Sequence, residues 1–106
     1  MDELSILYVT FPNKEEALKV SEIVVRERLA ACANAMPNVA STFFWQGQIN
    51  RSDEVVLLIK TMPRAIVRLV TRVRELHTYE VPCLLETRFR SHNLDYYSWA
   101  DESVIR

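Results

Sequence analysis

The segment from His77 to Cys83 brings together side chains that could bind a metal ion. An imidazole, a phenol, a carboxylate and a thiol lie within it. A neutral imidazole suits copper, and Glu80 or Cys83 could add a further ligand. We therefore take His77 first and Glu80 second as candidate ligands for copper or another divalent cation. The alternative is that His77 ends a helix, where its charged form interacts with the last carbonyl groups.

A second set of residues could bind a small anionic ligand. It comprises Lys60, Tyr79, Glu80 and Tyr97. A lysine ammonium attracts an anion, and a tyrosine hydroxyl donates a hydrogen bond. These residues are candidates for lining a cleft between subunits. The alternative is a set of interface residues that satisfy one another.

The composition argues against several functional classes. The chain has one glycine, Gly47, in 106 residues, whereas a P-loop or a dinucleotide fingerprint needs several. Its net charge of -1 differs from the basic balance of most nucleic-acid-binding domains, and acidic residues balance the arginines Arg64, Arg68 and Arg72. No local signature arranges Ser, Cys and His for nucleophilic catalysis. We expect a protein that is not an enzyme and does not bind nucleic acid.

The cysteines and the N-terminus favour a cytoplasmic protein. Cys32 and Cys83 do not form a CxxC pair, and we expect both to be buried, reduced thiols. The start of the chain is acidic and lacks the basic and apolar regions of a signal peptide. No apolar stretch is long enough to span a bilayer, so we expect no membrane association.

Hydrophobic periodicity predicts four strands, two long helices and a short final helix. The predicted strands are Leu4–Phe11, Cys32–Trp45, Gln48–Lys60 and Cys83–Phe89, and the predicted helices are Lys14–Ala31, Pro63–His77 and Asn93–Ala100. Asn13 and Glu16 form a sequence like a capping box at the first helix. Gln46 and Gly47 predict a hairpin turn, Asn50–Asp53 a bulge or second turn in the next strand, and Thr78–Pro82 a loop.

The order β-α-β-β-α-β predicts an α+β fold, the ferredoxin-like split βαβ sandwich, in a single domain over residues 1–106. Its antiparallel sheet carries both long helices on one face. The run Val55–Ile59 is apolar on both sides of its strand, which indicates a cover on the second face as well. We expect another subunit to supply that cover.

Five separated motifs then resemble the CutA family of divalent-cation tolerance proteins. They are Glu27–Asn34 with Pro37, Trp45–Ile49, Ile59–Thr61, Glu75–Pro82 and Tyr96–Trp99. The resemblance spans nearly the whole chain, in order and at the spacing of the family. It implies a ferredoxin-like protomer in a homotrimer whose neighbouring strands pair edge to edge, a role in tolerance of copper and other divalent cations, and no catalytic activity. Through its likeness to PII-type signalling proteins, it also leaves open a signalling or scaffold protein that binds a small ligand between subunits.

The sequence departs from a copper site described in some members of that family. The resemblance places the cysteine ligand of that site at Val9 and the first of its two histidines at Leu76. Neither side chain has a donor atom, so of the described ligands only His77 remains. The resemblance alone does not supply a complete metal site in this chain.

Overall fold

The computed structural model describes residues 2–106, which form an α+β sandwich of the predicted class. Its elements are β1 (Glu3–Phe11), α1 (Lys14–Arg26), β2 (Cys32–Trp45), β3 (Gln48–Thr61), a 3₁₀ turn (Pro63–Ala65), α2 (Ile66–Leu76), β4 (Leu84–Arg90) and α3 (Leu94–Ser103). The strands form one sheet in the order β2-β3-β1-β4, and every neighbouring pair is antiparallel.

One face of the sheet is covered by α1 and α2 and carries the main core. Successive strand residues point to opposite faces, so Leu7, Val9 and Phe11 of β1 lie on this side. They are almost completely buried and share one core with apolar residues of both helices, including Val24 and Leu69. Burial of the apolar side of each helix against the sheet stabilises α1 and α2.

The other face, which we call the open face, is covered over only part of its length. Leu4 and Ile6 of β1 lie there and pack with Ala100 and Val104, which belong to α3 and its C-terminal end. Beyond this contact, residues 2–106 place no helix on the open face. Tyr8, two residues beyond Ile6 and on the same face, borders a groove instead.

Helix α1 ends at Arg26 and not at Ala31, so the predicted C-terminal boundary is wrong. Arg28 has φ 62°, the left-handed conformation that closes helices, and Leu29 N–H donates back to the carbonyl of Val24. The chain then turns inward and buries Leu29. This apolar side chain continued the helical pattern in the sequence, and the usual stop signal, a glycine, is absent.

The predicted irregularity in the hairpin occurs on the opposite strand. β3 is continuous through Asn50–Asp53, whereas β2 contains a bulge between Met36 and Val39. Pro37 has no N–H to donate to the ladder, and Asn38 has φ 64°, which together place the extra residue there. The predicted turn is confirmed, with positive φ at Gly47 and also at Gln46.

Arg28 connects the end of α1 to the end of α3. Its Nε donates to the Ser103 carbonyl over 3.1 Å and its Nη2 to the Glu102 carbonyl over 2.6 Å. Both acceptors are among the last carbonyls of α3, which have no partner within a helix. A guanidinium is well suited to bind them because its donors form a rigid fork.

Arg64, in the 3₁₀ turn before α2, holds the same end of α3 from another side. It donates to the carbonyls of Asp101, Val104 and Ile105 over 2.8–3.0 Å, and it forms an ion pair with the Asp101 carboxylate. This guanidinium lowers the pKa of Asp101. The two arginines therefore fix the helix that covers part of the open face.

Replacement of Arg64 should loosen α3. We expect Arg64→Ala to lower the free energy of unfolding by about 1–2 kcal/mol, the range for hydrogen bonds to a partly exposed charged group. Arg68→Ala, at an exposed arginine on α2, is the matched control and should change it by less than about 0.5 kcal/mol. Urea unfolding measures the free energy of unfolding of both variants and of the wild type. Equal effects of the two substitutions would contradict a specific role of Arg64.

Candidate functional site

His77 follows the last residue of α2, and both of its ring nitrogens are engaged. The ring stacks on Phe11 with 4.4 Å between centroids. Nδ1 lies 3.0 Å from the backbone nitrogen of Tyr79 and Nε2 lies 2.7 Å from the Thr10 carbonyl. A backbone N–H can only donate and a carbonyl can only accept, so this arrangement requires Nδ1 as acceptor and Nε2–H as donor. The neutral ring thereby fixes the loop that follows it.

A metal ion at His77 would have to replace one of these hydrogen bonds. Among residues 2–106, no three His, Cys, Asp or Glu side chains lie close enough together to hold a metal ion. Val9 is fully buried in the helix-side core, and Leu76 packs against the same core. Glu80 is exposed. One chain therefore presents His77 and Glu80 as separate donors and not as a preformed metal site.

The loop after α2 carries Tyr79 to the open face, where its hydroxyl donates to Glu54 Oε2 over 2.8 Å. Burial, followed by the bond to Glu54, raises the pKa of Tyr79 to about 12. Burial and the nearby Glu54 also raise the pKa of Cys83. Cys32 and Cys83 are free thiols but only partly buried, so the expectation that both are buried is wrong. Cys83 borders a groove on the open face.

That groove, which we call the acidic groove, has a volume of about 850 Å³. It lies between the loop after α2 and the part of the β2–β3 hairpin nearest the turn. The side chains that give it its character are Tyr8, Phe43, Trp45, Glu54, Tyr79 and Glu80. It therefore combines aromatic rings with carboxylates.

Within one chain, the four residues proposed for a ligand cleft lie at two places. Tyr79 and Glu80 border the acidic groove, whereas Lys60 lies six positions beyond Glu54 on β3. Six residues of strand span roughly 20 Å. Lys60 Nζ contacts the Tyr96 hydroxyl at 3.4 Å, while Tyr97 packs against the apolar cluster beneath α3. A single cleft that contains all four would have to combine residues of different copies.

The sequence analysis missed Glu54 and Tyr96. Glu54 lies directly before the apolar run of β3. A carboxylate on a strand that is covered on both faces needs a partner for its charge. That position was the available signal. For Tyr96 the available signal was helical phase, since Tyr96 and Tyr97 are adjacent and point about 100° apart.

Comparison with known proteins identifies the family. The family model described as "CutA1 divalent ion tolerance protein" matches residues 5–103. The divalent-cation tolerance protein CutA of Thermus thermophilus is 36% identical over 99 residues, which cover 93% of this chain and 96% of that protein. The chloroplastic CutA 1 protein of rice is 34% identical, over 93% of this chain and 56% of the relative.

The fold gives the same result. The crystal structure of CutA1 from Oryza sativa superposes with a TM-score of 0.94 at 32% identity, over 98% of this chain and 95% of that one. Over residues 2–106 there is no helix with the length and apolar character needed to cross a membrane.

The contact between Tyr79 and Glu54 predicts a late phenol titration. Because folding raises this pKa from 10.0 to about 12, the folded protein holds the phenol proton more tightly than the unfolded chain. The resulting stabilisation is complete below pH 10 and is lost as the pH rises toward 12. Ultraviolet titration should show a tyrosinate component near pH 12 that Tyr79→Phe removes.

Glu54→Gln provides the control, since glutamine keeps a hydrogen-bond acceptor and removes the charge. The component should move to lower pH but stay above 10, because burial is the larger cause. A high-pH component that survives in Tyr79→Phe would assign it to another tyrosine.

Proposed function

Since the chain belongs to the CutA1 family of divalent ion tolerance proteins, we propose that it is a non-enzymatic homotrimer that acts in divalent-cation tolerance, copper included. The proposed assembly is supported by the apolar character of the open face. Large apolar side chains on this face remain exposed in one chain: Met36, Phe43, Trp45, Leu85 and Phe89. A face of this kind is characteristic of a protein contact.

The sheet edges support a closed ring of copies. β2 and β4 are the two outer strands, and each has one side without a neighbouring strand in the chain. Free strand edges pair readily with other strands. Because the two edges differ, a contact of β2 on one copy with β4 on the next runs head to tail. Such contacts close into a ring when the rotation between neighbouring copies divides a full turn evenly. A ring of three would turn the open faces toward one another.

A charge on the open face should disrupt this assembly. Leu85 lies on β4, pairs with Tyr8 and is 61% exposed. We expect the wild type to be trimeric in light scattering and native mass spectrometry. We expect Leu85→Glu to shift it toward monomer, with the dissociation constant raised by at least about tenfold, because a carboxylate would be buried without a partner.

Val67→Glu is the matched control. Val67 is 75% exposed but lies on α2, on the side of the sheet away from the open face. It should leave the trimer intact. A monomeric wild type, or equal dissociation in both variants, would contradict the proposed interface.

For direct metal binding, we propose His77 as the first copper ligand and Glu80 as the second. The chemistry of imidazole and carboxylate supports this choice. Both ring nitrogens are engaged, so copper binding has a cost at either one. Copper at Nδ1 must displace the Tyr79 N–H. Copper at Nε2 must replace the proton that Nε2 donates to the Thr10 carbonyl, and if that proton moves to Nδ1 the bond from Tyr79 N–H is lost as well. Binding by one chain should therefore be weak, and donors from a neighbouring copy would strengthen it.

Copper uptake tests this assignment. Native mass spectrometry of the wild type should show added copper that His77→Ala abolishes and Glu80→Gln reduces. His92→Ala, at the other histidine of the chain, should bind copper as the wild type does. Uptake that is equal in the wild type and in His77→Ala, or absent from both, would remove His77 from the proposal.

The second candidate function is a PII-like signalling or scaffold protein that binds a small ligand at the cleft between subunits. The proximity of Lys60 to Tyr96 on the open face supports it. Lys60 and Tyr97 from one copy would then combine with Tyr79 and Glu80 from another. Under either function we propose a cytoplasmic location, since free thiols are typical of a reducing compartment.

A further inference from the structure

The acidic groove has an unusual combination of charge and lining. Four aromatic rings border it, those of Tyr8, Phe43, Trp45 and Tyr79, and its charged residues are both glutamates. Lysine, arginine and histidine are all absent from its lining among the described residues. The groove is therefore aromatic and negatively charged.

Among residues 2–106, no cationic side chain forms an ion pair with these glutamates. The ion pairs found over residues 2–106 involve other acidic side chains and neither Glu54 nor Glu80. Glu54 accepts a hydrogen bond from the Tyr79 hydroxyl, which orients the carboxylate but supplies no charge.

A cation bound in the groove would supply the positive charge that Glu54 and Glu80 lack, and the lining decides which kind of cation fits. A divalent metal ion needs several donors at fixed distances, and residues 2–106 hold no such group of three. An organic ammonium needs none, because ring faces attract it and a nearby carboxylate adds to the attraction. Its apolar body also suits a partly apolar groove of about 850 Å³, a size typical of small-molecule sites.

We propose that the acidic groove binds a small organic ammonium ion, with Glu54 as the counter-charge and Phe43, Trp45 and Tyr79 as the aromatic walls. One chain builds the groove, so the inference does not require the metal proposal. Phe43 and Trp45 also belong to the face proposed for the subunit contact, so in a trimer the groove would lie at that contact and a neighbouring copy would add to its walls. The occupant differs in charge from the anionic ligand that the sequence predicted, because Lys60 lies far from this groove.

Benzylammonium and benzyl alcohol test the proposal, since they have nearly the same shape and differ in charge. Calorimetric titration of the full chain should show that benzylammonium binds at least about tenfold more tightly than the alcohol. Backbone NMR shifts should locate the binding at Trp45 and Tyr79. Equal affinity for both compounds, or binding of neither, would overturn the proposal.

Glu54→Gln should weaken benzylammonium binding by at least about fivefold, and Glu15→Gln, at an exposed glutamate on α1, should leave it unchanged. Tyr79→Phe removes the hydrogen bond between Tyr79 and Glu54 but keeps an aromatic ring and the Glu54 carboxylate, so it should retain most of the affinity for benzylammonium. It thereby shows whether a disturbed loop, and not the lost charge, explains the weaker binding in Glu54→Gln. Unchanged binding in Glu54→Gln would overturn the assignment. Light scattering on the same samples reports the assembly independently, so failure of the trimer and failure of the groove are distinguishable.

Discussion

The structure depends on the need to cover both faces of the β1–β3 pair. Both strands carry buried apolar residues on both sides: Leu7 and Leu57 point toward α1 and α2, while Ile6 and Val56 point away from them. A strand pair of this kind is stable in water only when both faces are excluded from it. Residues 2–106 supply two helices for one face and a single helix, α3, for the other.

Two consequences follow from this unequal cover. The short helix must be held firmly, and Arg28 and Arg64 do so by binding its last carbonyls. The rest of the open face has no cover from residues 2–106, and exposed apolar side chains and the acidic groove both lie there. The proposed assembly and the proposed ligand binding would therefore use the same surface.

The sequence predicted the elements and the topology well, because those follow from patterns along the chain. Apolar periodicity and Asn13, whose side chain accepts from Glu16 N–H, specify where elements lie. The errors arose where tertiary contacts override a local pattern: Leu29 looked helical but is buried after a left-handed turn at Arg28. The candidate site was harder to predict, since the Tyr79–Glu54 bond joins residues 25 positions apart and no local pattern encodes it.

The two proposed cation sites are linked through one loop. The Tyr79 N–H bond to His77 Nδ1 holds the start of the loop, and the Tyr79 hydroxyl bond to Glu54 holds its side chain over the groove. A metal ion at Nδ1 would release the first bond and so loosen a wall of the groove. Since coupling between two sites is reciprocal, an organic cation that orders Tyr79 would in turn oppose metal binding at His77. The neutral histidine would then act as the element through which one cation excludes the other.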